Sequence, residues 1–116
     1  MYQSFLYAFL RLETPFFELV KKHLSPLRKD RILEIGCNRG RLVKKIQDIA
    51  PQTIGIDINK KAINSGLTGN LFAMDATRLD FPDASFDKIY SAHTIEHIPN
   101  LTKALQEMAR VINQTK

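Results

Sequence analysis

One cysteine, Cys37, stands in a chain of 116 residues. An internal disulfide is excluded, and a reducing cytoplasm is the expected compartment. Long hydrophobic runs are missing too. Residues 5–10 are apolar but short, lack a basic leader and run into Arg11 and Glu13, which fits neither a signal peptide nor a membrane span. No repeat, low-complexity tract or linker interrupts the chain, so its length allows at most one domain. Charge is not concentrated either: 17 basic and 12 acidic residues leave a net +5. Lys21-Lys22, Lys44-Lys45 and Lys60-Lys61 each lie beside an apolar face at helical spacing and read as solvated helix surface. Nucleic acid is therefore not an expected partner.

What is present is alternation. The composition, 44% hydrophobic and 25% charged, is that of a globular chain, and its apolar residues change period repeatedly. Residues 1–13 place Tyr2, Phe5, Leu6, Phe9, Leu10 and Leu12 mostly at helical spacing. Thr14-Pro15 then starts a second helix, with threonine as cap and proline at the first position. Its stripe is Phe16, Leu19, Val20, His23 and Leu24, and Ser25-Pro26 stops it. Strands are expected at 31–35, 53–57, 70–74 and 86–92. Helices are expected at 40–50, from the Asn59 cap to Gly66, and beyond Pro99-Asn100, the last burying Leu101, Ala104, Leu105, Met108 and Ile112. The reading is one domain over residues 1–116, with a helical cap at 1–27 and a βαβ core at 28–116. Such alternation predicts a doubly wound parallel α/β sheet whose ligands bind at the carboxyl ends of the strands.

The most informative stretch runs from Ile32 to Leu42, Ile-Leu-Glu-Ile-Gly-Cys-Asn-Arg-Gly-Arg-Leu. An apolar strand meets an acid, a glycine-bounded turn and the start of an amphipathic helix. Glycine at 36 and 40 permits a sharp turn and close approach of a ligand to the backbone. A second acid, Asp57, closes the next strand about 20 residues on, where a carboxylate binds ribose hydroxyls. The dinucleotide fingerprint fits poorly, since it wants glycine at 36, 38 and 41 and finds Asn38 and Arg41. A turn of the form acid-x-Gly-x-Gly-x-Gly fits better, with Glu34, Gly36, Asn38 and Gly40, asparagine being the side chain that best tolerates positive φ. Here the sequence resembles the class I S-adenosylmethionine (SAM)-dependent methyltransferases. Two further stretches are similar to that family: 75–87, with a post-strand acid, a Leu-x-Phe-Pro turn and a Ser-Phe-Asp strand entry, and Glu107-Met108-Ala109-Arg110-Val111.

The resemblance covers residues 14–112 and implies a Rossmann-like sheet with strand order 3-2-1-4, cut before the later strands of a complete domain. It implies SAM as cofactor, bound by Glu34, Gly36, Cys37, Asn38, Gly40, Asp57, Ile58, Asp75, Ala76 and Ser91. Gly36–Gly40 would wrap the methionine and ribose, with Glu34 orienting the methionine end. Asp57 would take the ribose hydroxyls and Ile58 would pack on adenine. Asp75 would accept from the adenine amino group, and the Ala76 N–H would donate to a ring nitrogen. The partner implied is a small-molecule methyl acceptor. With later strands absent, the fourth strand is expected as an open edge, a route to homo-oligomers, and methyl transfer by this form is expected to be poor.

His93-Thr94-Ile95-Glu96-His97 matches the zinc-peptidase pattern H-x-x-E-H. That chemistry needs both histidines on one continuous helix, whereas here the motif follows a strand and Pro99 comes two residues later. No metal is assigned. His93 and His97 are read instead as edging the acceptor pocket and as the candidate general bases; a metal held by His93, Glu96 and His97 is the alternative. His23 and Cys37 read as structural. Two other function classes stay open: a half-domain that holds SAM without transferring methyl, and, less favoured by the glycine spacing, a nicotinamide-dependent oxidoreductase.

Overall fold

The computed structural model describes residues 5–9 and 16 by their backbone, and residues 17–92 and 94–113 with side chains. In chain order the elements are β1 (Phe5–Phe9), α1 (Phe16–Leu24), β2 (Ile32–Ile35), α2 (Arg41–Gln47) and β3 (Ile54–Asp57). They continue with α3 (Lys60–Asn64), β4 (Leu71–Ala73), β5 (Lys88–Ala92) and α4 (Leu101–Val111). Asparagines start two of the helices as expected: the Ala62 N–H donates to the Asn59 side chain and the Lys103 N–H to that of Asn100, both at 3.2 Å, satisfying donors that a helix start leaves free.

All strand pairs are parallel, in the order β1-β5-β2-β3-β4. Leaving β1 aside, this is the expected order 3-2-1-4, with the Glu34 strand at the centre. Successive residues of β2 face opposite sides. Leu33 and Ile35 join Ile56, Ile89, Phe86, Met108 and Val111 in one apolar cluster, under α4. Ile32 joins Val20, Leu24, Ile46, Ala50 and Tyr90 in the other, under α1 and α2. A strand covered on both faces reads as a continuous apolar run, which is why Ile32-Leu33-Glu34-Ile35 carries a single polar residue.

Three expectations need correction. Residues 5–9 form a strand and not part of a helix. Phe-Leu-Tyr-Ala-Phe is apolar throughout, so its spacing fits either period, and its aromatics favour strands. In consequence the fourth expected strand, β5, is not an open edge, because β1 pairs along it from Phe5 opposite Lys88 to Phe9 opposite Ala92; the oligomer route through that edge is closed. On α4, Ala104, Met108 and Val111 are buried, as is Ile112 just after it, but Leu101 and Leu105 each retain 37% of their surface. Those two leucines lie to one side of the stripe that meets the sheet.

The amino ends of the central strands are tied by charge. Lys88 Nζ lies 2.8 Å from Asp30 and donates to the Ser25 carbonyl at 2.6 Å. Arg31 pairs with Asp87 at 3.2 Å, and its backbone N–H donates to the same carboxylate at 2.8 Å. Asp30, Asp87 and Lys88 are all buried, so each charge is accompanied by its opposite, as burial requires.

Candidate functional site

At the carboxyl ends the backbone does something else. Gly36, Asn38 and Gly40 all take left-handed φ, at 77°, 55° and 81°, so the turn reverses in three alternate residues. The N–H groups of Gly36 and Cys37 both donate to the Ile56 carbonyl at 2.8 Å, which holds the turn against β3. The expected reason for glycine is half right. Both glycines are needed for the turn, but a Cβ on Gly36 would collide with the side chain of Thr94, and one on Gly40 would lie 2.7 Å from Leu71 Cδ1. Protein fills the space over them.

Asp57 ends β3 beside this turn. Its carboxylate accepts from the Asn38 N–H at 2.7 Å and the Asn59 N–H at 2.9 Å, one on each oxygen, which leaves lone pairs on both. Ile58 follows it 73% exposed, an apolar side chain with nothing over it. After β4, Asp75 is exposed; Thr77 donates to its Oδ1 from the backbone at 2.9 Å and from the hydroxyl at 2.8 Å. Those bonds hold its carboxyl below the usual range, so it is an anion with a fixed direction. Among the described residues the Ala76 N–H has no acceptor.

Glu34, before the turn, is 4% exposed, and the Tyr90 hydroxyl donates to its Oε1 at 2.9 Å. Burial pushes its carboxyl up to about 8, the Tyr90 bond drawing it down and the charge of Asp57 adding to the rise. Cys37 is buried in the turn, and burial, with Glu34 and Asp57 nearby, pushes its thiol up to about 12; it is an inert, small packing group. Ser91 is 1% exposed and gives its hydroxyl to the Ile35 carbonyl at 3.1 Å, so it ties β5 to β2 beneath the turn.

Sequence reasoning singled out 75–87 and 107–111 separately, and the structure joins them. Arg110 reaches Glu107 at 2.9 Å, Asp83 at 2.8 Å and the carbonyls of Phe81 and Leu79, both at 2.9 Å. Glu107 in turn accepts from the Leu79 N–H at 2.8 Å. This clamp fixes the loop that follows Asp75-Ala76 onto α4. The guanidinium and the Leu79 N–H hold the Glu107 carboxyl down at about 2.

His97 lies in a short 3-10 turn, Ile95–His97, and both it and Glu96 are exposed. The peptidase geometry is absent there, since no continuous helix carries the motif. His93 lies outside the described residues. A groove of about 370 Å³, lined by Arg31, Gln52, Asn70, Phe81 and Phe86 among others, sits at the opposite, amino end of the sheet. The candidate site residues lie at the carboxyl ends instead, where Glu34, Asp57 and Asp75 form no salt bridge among the described residues.

A parallel doubly wound sheet, with an acid-glycine turn after its first core strand and acids after the next two, is the architecture of the Rossmann-like class. A family model described as "Methyltransferase domain" matches residues 33–115. The chain is 31% identical over 90 residues to sterol 4-C-methyltransferase strm-1 of Caenorhabditis elegans, covering 69% of this chain and 27% of that protein. It is 30% identical over 120 residues to aklanonic acid methyltransferase DauC of Streptomyces sp., covering 89% and 54%. The crystal structure of YcgJ from Bacillus subtilis superposes with a TM-score of 0.77 at 27% identity, over 84% of this chain and 45% of that one. The chain belongs to the methyltransferase domain family, and it spans about half or less of the length of these relatives.

Proposed function

We propose that this chain is the cofactor-binding part of a SAM-dependent methyltransferase that acts in the cytoplasm on a small-molecule acceptor at oxygen, nitrogen or carbon. The observation that carries this reading is the set of carboxyl groups on Glu34, Asp57 and Asp75, at successive strand ends, with no salt bridge to any of them among the described residues and only Arg78 acting on Asp75 from further off. SAM offers what they lack: a sulfonium, an ammonium, two ribose hydroxyls and an adenine amino group. The free lone pairs of Asp57 suit the hydroxyl pair, and exposed Ile58 suits an adenine face. The unbonded oxygen of Asp75 and the unpaired Ala76 N–H suit the donor and acceptor edge of adenine. Gly36, Cys37, Asn38 and Gly40 shape the turn around the methionine part, and Ser91 holds its floor.

When bound, SAM supplies the electrophilic methyl group; the chain's residues align it and exclude water. His97, with His93, is the candidate base for an acceptor that needs a proton removed. Calorimetric titration tests the reading. SAM and its demethylated product should bind the 116-residue chain, and Asp57→Ala should weaken SAM by about 1–3 kcal/mol, the range for bonds to charged groups. An unchanged affinity in that variant, or tighter binding of NAD than of SAM, would refute it.

A further inference from the structure

Glu34 and Tyr90 lie directly opposite each other across β2 and β5. Tyr90 has no exposed surface, and its neighbours include Val20, Leu24, Ile32 and Ile46. A phenol hydroxyl in such a cluster needs a hydrogen-bond partner, and it takes Glu34 Oε1. The other carboxyl oxygen, Oε2, has no donor among the described residues. On the far side of Glu34 its register partner is Gly55, which contributes no side chain to the row. Glu34 is thus held by one oxygen and open at the other, at the foot of the Gly36–Gly40 turn.

We propose that Tyr90 is a positioning residue for the cationic end of the cofactor: by fixing one oxygen of Glu34 it presents the other to the ammonium of the methionine part, and Glu34 releases its proton to solvent as the cation arrives. This rests on the SAM reading above. The groups that face Glu34 are Tyr90 from β5, Asp57 from β3 and Cys37 from the turn; α1, α2 and the turn after α2 bring apolar Val20, Leu24, Ile46 and Ala50 to this face. None is a cation, so in this set only the Tyr90 hydroxyl stabilises the Glu34 anion before the ligand does. With its carboxyl near 8, Glu34 is mostly protonated at pH 7 in the free protein. A bound ammonium favours the anion, so the proton passes from the carboxyl to buffer and a carboxylate–ammonium pair remains.

Calorimetry of SAM binding at pH 7, in buffers of different ionisation enthalpy, counts the protons released. The wild-type chain should release most of one proton, and its affinity should rise on the order of tenfold between pH 6 and pH 7, where the carboxylate fraction grows and the cofactor's ammonium keeps its proton. Glu34→Gln should release none and show a flat profile. Tyr90→Phe removes the bond that draws the carboxyl down, so its profile should shift to higher pH, with several-fold weaker binding at pH 7. A purely structural tyrosine would alter stability but neither the proton count nor the profile. Carbon-13 NMR of the Glu34 carboxyl reads the same titration without ligand and remains decisive if Tyr90→Phe does not fold. Titration near the ordinary 4.5, or SAM binding without proton release, would overturn the proposal alone. Failure of the wild-type chain to bind SAM would overturn the functional reading with it.

Discussion

The two ends of this sheet treat carboxylates in opposite ways. At the amino end, Asp30 meets Lys88 and Asp87 meets Arg31, and the backbone N–H groups of Leu27 and Arg31 add bonds. At the carboxyl end, Glu34, Asp57 and Asp75 meet a phenol, two turn amides and a threonine, and no lysine or arginine pairs with them among the described residues. Basic residues do stand at that end, Arg39 in the turn, Lys60 and Lys61 after Asp57 and Arg78 after Asp75, but none of them forms a salt bridge with these acids among the described residues. Acids paired with cations hold a fold together; acids left with free lone pairs beside a left-handed turn are a site for a ligand that brings donors and positive charge.

The largest effect should come from breaking the paired end. Lys88→Ala leaves Asp30 buried without its cation, and a lost buried partner costs about 3–5 kcal/mol. Urea denaturation should register that loss, while SAM affinity of the folded fraction stays unchanged. At the other end the sign reverses. Because the folded protein raises Glu34 from 4.5 to about 8, it holds a proton that the unfolded chain has lost, so wild-type stability falls as pH rises across that window. Glu34→Gln removes the dependence, and the variant should gain on the wild type by roughly 3 kcal/mol at pH 7. Denaturation midpoints of both proteins at pH 5 and pH 8 check this.

Smaller still, Asp57→Asn removes the charge and turns an amide NH2 toward one of the two backbone N–H groups that the carboxylate accepts, and should cost SAM binding and stability about 1 kcal/mol each. The smallest effect sharpens the comparison at the clamp. Glu107 is held at about 2 by Arg110 and Leu79, so its contribution is present above pH 4.5 and is lost as pH falls through 2. Glu107→Gln should flatten that part of the acid-unfolding curve, followed by circular dichroism.

The core strands and the acids at their carboxyl ends were legible in the sequence because a buried parallel strand writes itself as an apolar run and a turn at positive φ writes itself as glycine or asparagine, whereas the order of the strands was implied by the family resemblance. Gly36, Asn38, Gly40 and Asp57 could be placed on that basis. Residues 5–9 could not, because an all-apolar segment carries no period and its pairing depends on a partner 83 positions away in register, Lys88 with Phe5. The Tyr90–Glu34 bond and the Arg110 clamp were hidden for a related reason: each joins stretches far apart in the chain, and a stretch read by itself does not say which other stretch it meets. Thr94 belongs with them, since nothing in its surroundings announces that it sits over Gly36.

An amide-resolved NMR titration of the 116-residue chain with SAM tests the central claim most directly. Shifts should concentrate at Gly36–Gly40, at Asp57 to Asn59 and at Asp75 to Thr77, and leave Asp30, Asp87 and Lys88 unmoved. Shifts confined to the amino-end groove around Arg31, Asn70 and Phe81, or none at saturating SAM, would contradict it.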